Sequence, residues 1–473
     1  MTSGVGERAV RGSLWLFGVN LVSKSSQVAV TLVLATFLTE DGLGVVALVV
    51  SLVNIGQIAG SMGVYDVISR TDRDPLRLAR TVLTLSVGVG VALAITLVLA
   101  ADLIAAALGA PDAAPLMRLA AISLPFSAAG GVQMGLVHRD LDFRRRLLPD
   151  AGSMVLGATV TVVLASRGAG PSAVVIGLLC TAIAQPVLGA FVGVRLLPGW
   201  DRDAAREALG WMSVVGPGAL VAILLVNADY LAIGHVLGSG AVGVYSLAYR
   251  IAWVPYILVA VVLGGVMFPV CAELVRSGRR DDLPGTLRRF TQAALVITGG
   301  LYVVVALLAD RVVLLDERWA PTAGPLLLLC CYGLGITLLH TWYQVIKAAG
   351  HARVYLALEV THLVALVTAL ALTTRHGLLA VALTQVAVAW LLVPLTWWVL
   401  TRHGLAFPVA ELARQAAGVA TAGAAAFALH VVLGPLPGVP GALVEGAVLA
   451  LAYCAVALLT NRGALREMRR DLA

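Results

Sequence analysis

Fourteen apolar runs of about twenty residues or more follow one another along this 473-residue chain, with only short polar stretches between them. They cover 12–38, 42–64, 78–104, 114–137, 148–165, 172–194, 208–236, 241–272, 286–309, 321–346, 354–374, 378–400, 409–433 and 442–460. A helix of about twenty residues crosses the hydrocarbon of a bilayer, whereas a barrel strand needs only about ten, in strict alternation. Charged residues make up 12% of the chain, against about 25% in soluble domains, so no stretch can supply the surface of a separate water-soluble domain. Backbone groups left unpaired in hydrocarbon are costly. The expected class is therefore an all-α integral membrane protein with about fourteen transmembrane helices. The first run carries Lys24, which a cleaved signal core would avoid, so it is expected to remain as the first helix.

The cations sort by loop. Counting alternate connections from the N-terminus, 26 Arg and Lys residues fall on one side and 5 on the other, the latter being Arg118, Arg167, Arg311, Arg318 and Arg375. Lys24 and Arg250 remain, inside spans. Cytoplasmic loops carry the excess of Lys and Arg, so both termini are expected to be cytoplasmic. The net charge of +7 is explained by this sidedness and does not point to nucleic acid. The same reading predicts that reporters fused at Gly238 and Gly434 score outside, while reporters at Arg279 and the C-terminal tail score inside. Opposite scores would overturn the topology.

Outer connections are short and rich in Gly, Pro or acid, which disfavours an enzyme active site built outside the bilayer. The first outer turn, 38–48, resembles the fourth, 237–247, at an offset of 199 residues: Leu38, Gly44, Val45 and Leu48 match Leu237, Gly243, Val244 and Leu247. This predicts two six-helix lobes related by a parallel repeat, at 1–200 and 201–405, followed by two extra helices and a tail at 406–473. Parallel repeats are a transporter architecture with the substrate between the halves.

Several spans carry polar residues on one face. Asn20, Lys24, Gln27 and Thr31 in the first span are spaced 4, 3 and 4 and share a narrow arc. Asn54 and Gln57 lie in the second, His340 and Gln344 in the tenth, and Tyr355, Glu359 and His362 on one face of the eleventh. Two readings stand: a hydrated cavity, or interhelical hydrogen bonds in a tight bundle. Lys24 lies deep in its helix, where a charge faces water or a partner. In the eighth span Tyr245, Tyr249, Trp253 and Tyr256 form an aromatic stripe suited either to stacking on sugars or to packing. Asp229 and Arg250 lie at matched depth on adjacent spans, as a structural ion pair or as a gating or coupling pair. Glu359 and His362 are further coupling candidates. Gly216, Pro217 and Gly218 are expected to break or kink the seventh span as a hinge, because Pro removes a backbone bond.

The five cysteines all lie in apolar runs without metal-ligand spacing and read as small buried hydrophobes. The sequence has no Walker loop, His-Glu-x-x-His or Cys-x-x-Cys pattern, so neither an enzyme nor a bound metal or cofactor is expected.

The stretch from Asn227 through Asp229 to Gly238, followed by Val242-Gly243-Val244-Tyr245-Ser246-Leu247-Ala248-Tyr249-Arg250, resembles the second-half signature of Wzx-type polysaccharide flippases, within the multidrug/oligosaccharidyl-lipid/polysaccharide exporter superfamily. His138-Arg139-Asp140-Leu141-Asp142-Phe143-Arg144-Arg145 and Thr39-Glu40-Asp41-Gly42-Leu43-Gly44 resemble turns of its colanic-acid-exporter-like branch. Phe268-Pro269, Arg318-Trp319 and Ala349-Gly350-His351 fit as well. Thr36 departs from the pattern, since the family often has an Arg near there. The resemblance implies a flippase of the bacterial cytoplasmic membrane. It would move an undecaprenyl-diphosphate-linked oligosaccharide to the outer leaflet by alternating access, with Lys24 and Arg250 as the cavity cations. It also implies membrane lipids, a coupling H+ or Na+, and other polysaccharide-assembly proteins as candidate partners. A drug/cation antiporter of the same superfamily, a lipid II flippase and a non-transporting scaffold for glycan assembly are the alternatives.

Overall fold

The computed structural model describes residues 30, 32–61, 63–64, 67–68, 74–139 and 143–460. Among these residues there is no strand, and thirteen helical segments are long and apolar enough to cross a membrane. They match the expected spans two to fourteen one for one. Most of the first span, with Asn20, Lys24, Gln27 and Thr31, lies outside the described residues.

The spans begin where the sequence supplies caps. Helix α1 is Glu40–Ser61 and α2 is Pro75–Ala107. The Asp74 carboxylate accepts from the Leu76 N–H at 3.0 Å ahead of Pro75, whose missing N–H costs nothing in a first turn. Next come α3 (Ala114–Ala121), α4 (Ser123–Arg139), α5 (Phe143–Leu147), α6 (Ser153–Ser166) and α7 (Ser172–Phe191). Helix α8, Arg202–Leu237, starts at Asp201, which accepts from the N–H groups of Asp203 and Ala204 and pairs with Arg77 at 2.8 Å. The helix runs unbroken through Gly216-Pro217-Gly218, so of the expected break or kink the break is not there. A proline removes one backbone donor, and neighbouring groups in a bundle can satisfy what it frees.

Two irregularities were not expected. Residues Leu148–Gly152 and Tyr256–Ala260 are single π-turns. The first joins α5 to α6. The second follows Pro255 and joins α9 (Ser239–Pro255) to α10 (Val261–Arg276). Each inserts a residue into the helical count, so side chains beyond it change face.

The chain divides into two compact units, Met1–Ser246 and Leu247–Ala473, and the boundary falls inside α9. In the first unit α1 lies against α2, α4 and α8, and α7 against α4 and α6. Here the two repeated turns meet. A Cβ on Gly44 would fall 1.8 Å from the Ser239 carbonyl oxygen, and one on Gly243 would fall 1.9 Å from the Glu40 carbonyl oxygen. The contact is reciprocal, because Glu40 and Ser239 are themselves repeat equivalents. Only glycine permits two helices to approach this closely.

In the second unit α12 (Ala323–Ala348) is central. It is packed by α10, by α11 (Leu283–Leu307), by α13 (Ala352–Thr373) and by α14 (Leu378–Arg402). The last pair, α15 (Val409–Leu433) and α16 (Gly438–Thr460), docks on α11, where the Tyr453 hydroxyl donates to the Val296 carbonyl at 3.0 Å. An ionic clasp fixes the pair a second time. Glu445 of α16 has no solvent exposure and accepts from Arg311, which projects from the turn after α11. His430 of α15 places Nδ1 2.8 Å from the other carboxylate oxygen.

Candidate functional site

In the first unit, Asn54 and Gln57 are half-buried on α1, and the Gln57 amide donates to the Ser127 hydroxyl of α4 at 3.0 Å. Asp229 is fully buried. It accepts from the Tyr230 N–H at 2.9 Å and from the Tyr245 hydroxyl at 3.0 Å. Tyr245, which shares its spacing with the aromatic stripe, thus serves the α8–α9 hairpin.

The remaining stripe lies in the second unit. Trp253 is flanked by Tyr249 one turn before (ring centroids 5.1 Å apart, 22°) and Tyr256 one turn after (4.4 Å, 34°). The ladder continues to Tyr332 at one end and to His340 at the other. With neighbours on both sides, Trp253 offers a ligand its edge more readily than its face. Arg250 is half-buried one residue after Tyr249.

The ladder ends on a hydrogen-bonded chain. Tyr256 opens the π-turn, and its Oη is 3.0 Å from His340 Nδ1. Gln344, one turn further along α12, places Nε2 3.0 Å from His340 Nε2. With the amide nitrogen donating to Nε2, the proton of the neutral ring is assigned to Nδ1, which donates to Tyr256. The phenol O–H is then left to donate onward. Gly264 makes room for this arrangement, since a Cβ there would lie 2.5 Å from His340 Nε2. His340 and Tyr256 are half-buried and Gln344 is buried.

Towards the end of α12, Lys347 lies 4.9 Å from the centroid of the Tyr355 ring, which packs edge-on against Tyr343. Glu359 is half-buried on α13. The expected residues Tyr249, Trp253, His340 and Gln344 are drawn by these contacts into one polar and aromatic cluster. His362 is buried, with Nε2 lacking a hydrogen-bond partner, and none of these contacts draws it in. Among the described residues no cluster of His, Cys, Asp and Glu could hold a metal ion.

Sequence reasoning passed over three groups. Glu445 and His430 of the clasp lie in apolar spans, where an ionisable residue is itself a signal, while Arg311 read as an ordinary loop cation. At the first π-turn, Asp150 pairs with Arg146 at 2.5 Å and accepts from Gln185 at 3.0 Å. The first pair has i,i+4 spacing and was visible as such.

Residues 33–323 match the family described as polysaccharide biosynthesis protein. The chain belongs to that family. Among curated relatives, it is similar to lipopolysaccharide biosynthesis protein WzxC of Escherichia coli (strain K12), at 25% identity over 346 residues, 69% of this chain and 67% of WzxC. It is also similar to succinoglycan biosynthesis transport protein ExoT of Rhizobium meliloti (strain 1021), at 26% identity over 327 residues, 68% of this chain and 65% of ExoT. These matches span about two thirds of each relative's length. In fold the chain is like the lipid II flippase MurJ in its inward closed conformation, with a TM-score of 0.80 at 13% identity, over 95% of this chain and 99% of that one. The polysaccharide biosynthesis match includes the repeat contact, Asp229 and the Tyr249–Tyr256 ladder. It ends at the first residue of α12, so His340 and Gln344 lie beyond it.

Proposed function

We propose that this protein is a flippase that moves an undecaprenyl-diphosphate-linked oligosaccharide from the cytoplasmic to the outer leaflet of a bacterial cytoplasmic membrane, by alternating access, for cell-surface polysaccharide assembly. The observation that carries the reading is the polar chain Tyr256–His340–Gln344 well inside membrane-spanning helices. A half-exposed imidazole at such depth is costly against lipid and calls for water or a polar ligand. A hydroxyl-rich glycan supplies donors and acceptors to such a surface. The names of WzxC and ExoT support the substrate class, and the MurJ-like fold supports the architecture. Lys24 and Arg250 are the cations assigned to the diphosphate, and H+ or Na+ is the assigned coupling ion.

Deleting the gene should cause lipid-linked oligosaccharide to accumulate, sealed from glycan-cleaving enzyme added outside spheroplasts, and the wild-type gene should restore its exposure. An unchanged lipid-linked pool on deletion would sink the reading. Accumulation that a variant lacking the central polar residues relieves as well as wild type would indicate a scaffold instead.

A further inference from the structure

Helices α12 and α14 lie against each other, and each stops at a glycine turn. Past α12, Gly350 takes φ +93° and the His351 N–H returns to the Ile346 carbonyl at 3.0 Å. Past α14, Gly404 takes φ +69° and the Leu405 N–H returns to the Leu400 carbonyl at 2.9 Å. Glycine adopts this helix-closing turn without a Cβ penalty. The two turns set His351 and His403 against each other, with ring centroids 4.2 Å apart at 40°.

Burial, the neighbouring His403 ring and the Arg280 guanidinium hold the His351 imidazole below its ordinary pKa. Nearby, Arg276, Arg279 and Arg288 pair with Glu273, Asp282 and Glu411. Among the described residues, no carboxylate pairs in this way with Arg280, Arg402 or the two histidines. Crowded cations repel one another until an anion neutralises them. Arg402, the residue before His403, lies 4.1 Å over the Trp398 ring. A guanidinium on an indole face keeps N–H groups at its edge, in the fork that matches phosphate oxygens. Leu391, Leu395, Trp398 and Arg402 follow at spacings of 4, 3 and 4, and all four are exposed. One face of α14 is therefore apolar along the span, aromatic near its end and cationic at its last residue.

We propose that Arg402, His403 and His351 hold the headgroup phosphate of an acidic membrane phospholipid, with an acyl chain along the Leu391–Leu395–Trp398 face of α14. The site lies at the end of the second unit that is cytoplasmic in the topology above. A zwitterionic headgroup brings its own cation to a site built of cations, whereas an acidic one brings only the charge that is missing. The lipid is a resident of the bilayer and not the transported molecule, so the proposal stands or falls apart from the transport reading.

The test is native mass spectrometry of the full-length protein in detergent, incubated with equal amounts of phosphatidylglycerol and phosphatidylcholine. Wild type should retain phosphatidylglycerol over phosphatidylcholine by about fivefold or more. The double variant Arg402→Gln with His403→Asn should abolish that preference, with phosphatidylcholine retention and the gel-filtration profile unchanged. Both side chains are exposed, so the fold tolerates their loss. His351→Asn should weaken the preference by itself. Arg375→Gln, which removes an exposed cation from the opposite end of α13, should leave it intact. Three outcomes would overturn the proposal: no preference in wild type, a folded double variant that keeps it, or an equal loss in Arg375→Gln. Retention of undecaprenyl diphosphate by the same three residues in preference to phosphatidylglycerol would overturn it as well, by assigning the site to the transported lipid.

Discussion

Glu445→Ala will remove most of the folded protein from the membrane, or lower its thermal midpoint by several degrees in detergent. The carboxylate has no solvent exposure and the Arg311 side chain is 19% exposed. Removing one partner leaves the other charge half-buried without its counter-ion, a loss on the order of 3–5 kcal/mol when a buried pair is broken. The clasp also joins three elements, the turn after α11, α15 and α16, so its loss loosens the docking of the whole C-terminal pair on α11. Arg311→Ala should cost as much or more, because the carboxylate it leaves is the more deeply buried. Glu445→Gln keeps the shape and one acceptor and should cost less. The double variant Arg311→Leu with Glu445→Leu should recover much of the loss, since replacing both partners by apolar groups removes the desolvation penalty along with the attraction. A melting temperature for Glu445→Ala equal to wild type would show that the clasp contributes nothing to stability.

His340→Ala should reduce export at least tenfold while leaving most of the protein folded. The side chain is only partly buried, and its removal strips both Tyr256 and Gln344 of a partner. Gly264→Val provides the independent arm. It keeps His340 and pushes it away, because the first added carbon would lie 2.5 Å from the ring nitrogen. If the chain contacts substrate, the two variants share a phenotype, and Tyr256→Phe, which loses only the hydroxyl, is intermediate. Export at the wild-type rate in folded His340→Ala and Gly264→Val would place substrate recognition elsewhere. Leakage assays on vesicles reconstituted with each variant separate a lost binding surface from a bundle that has become permeable.

The thirteen described spans were legible because a run of about twenty apolar residues is a one-dimensional signal that needs no partner to interpret. The π-turns at 148–152 and 256–260 were not, since they depend on how a helix fits its neighbours and leave no mark in hydropathy. The aromatic stripe was legible as a spacing, and only its division was hidden: Tyr245 turns to Asp229, while Tyr249, Trp253 and Tyr256 stack on one another. The bond from Tyr256 to His340 joins residues 84 apart, and the one from Arg311 to Glu445 joins residues 134 apart. Spacing arguments run along a single helix and cannot reach such pairs. The exception is the repeat. Four matched residues at a fixed offset marked two turns as equivalent, and equivalent turns are what meet at Gly44 and Gly243.

That meeting has the form of a subunit interface between two identical protomers, in which residue i touches j and j touches i about a two-fold axis. In a homodimer, any change appears on both sides at once. A single chain that encodes both copies is released from that symmetry, and this one has used the freedom. Asp41 accepts a hydrogen bond from Ser239, but its counterpart Gly240 has no side chain with which to bind Glu40. One rim of the contact therefore carries a polar latch and the other carries none. Strain applied to the joint will part the bare rim first and the latched rim last, which gives a symmetric-looking contact a preferred direction of opening.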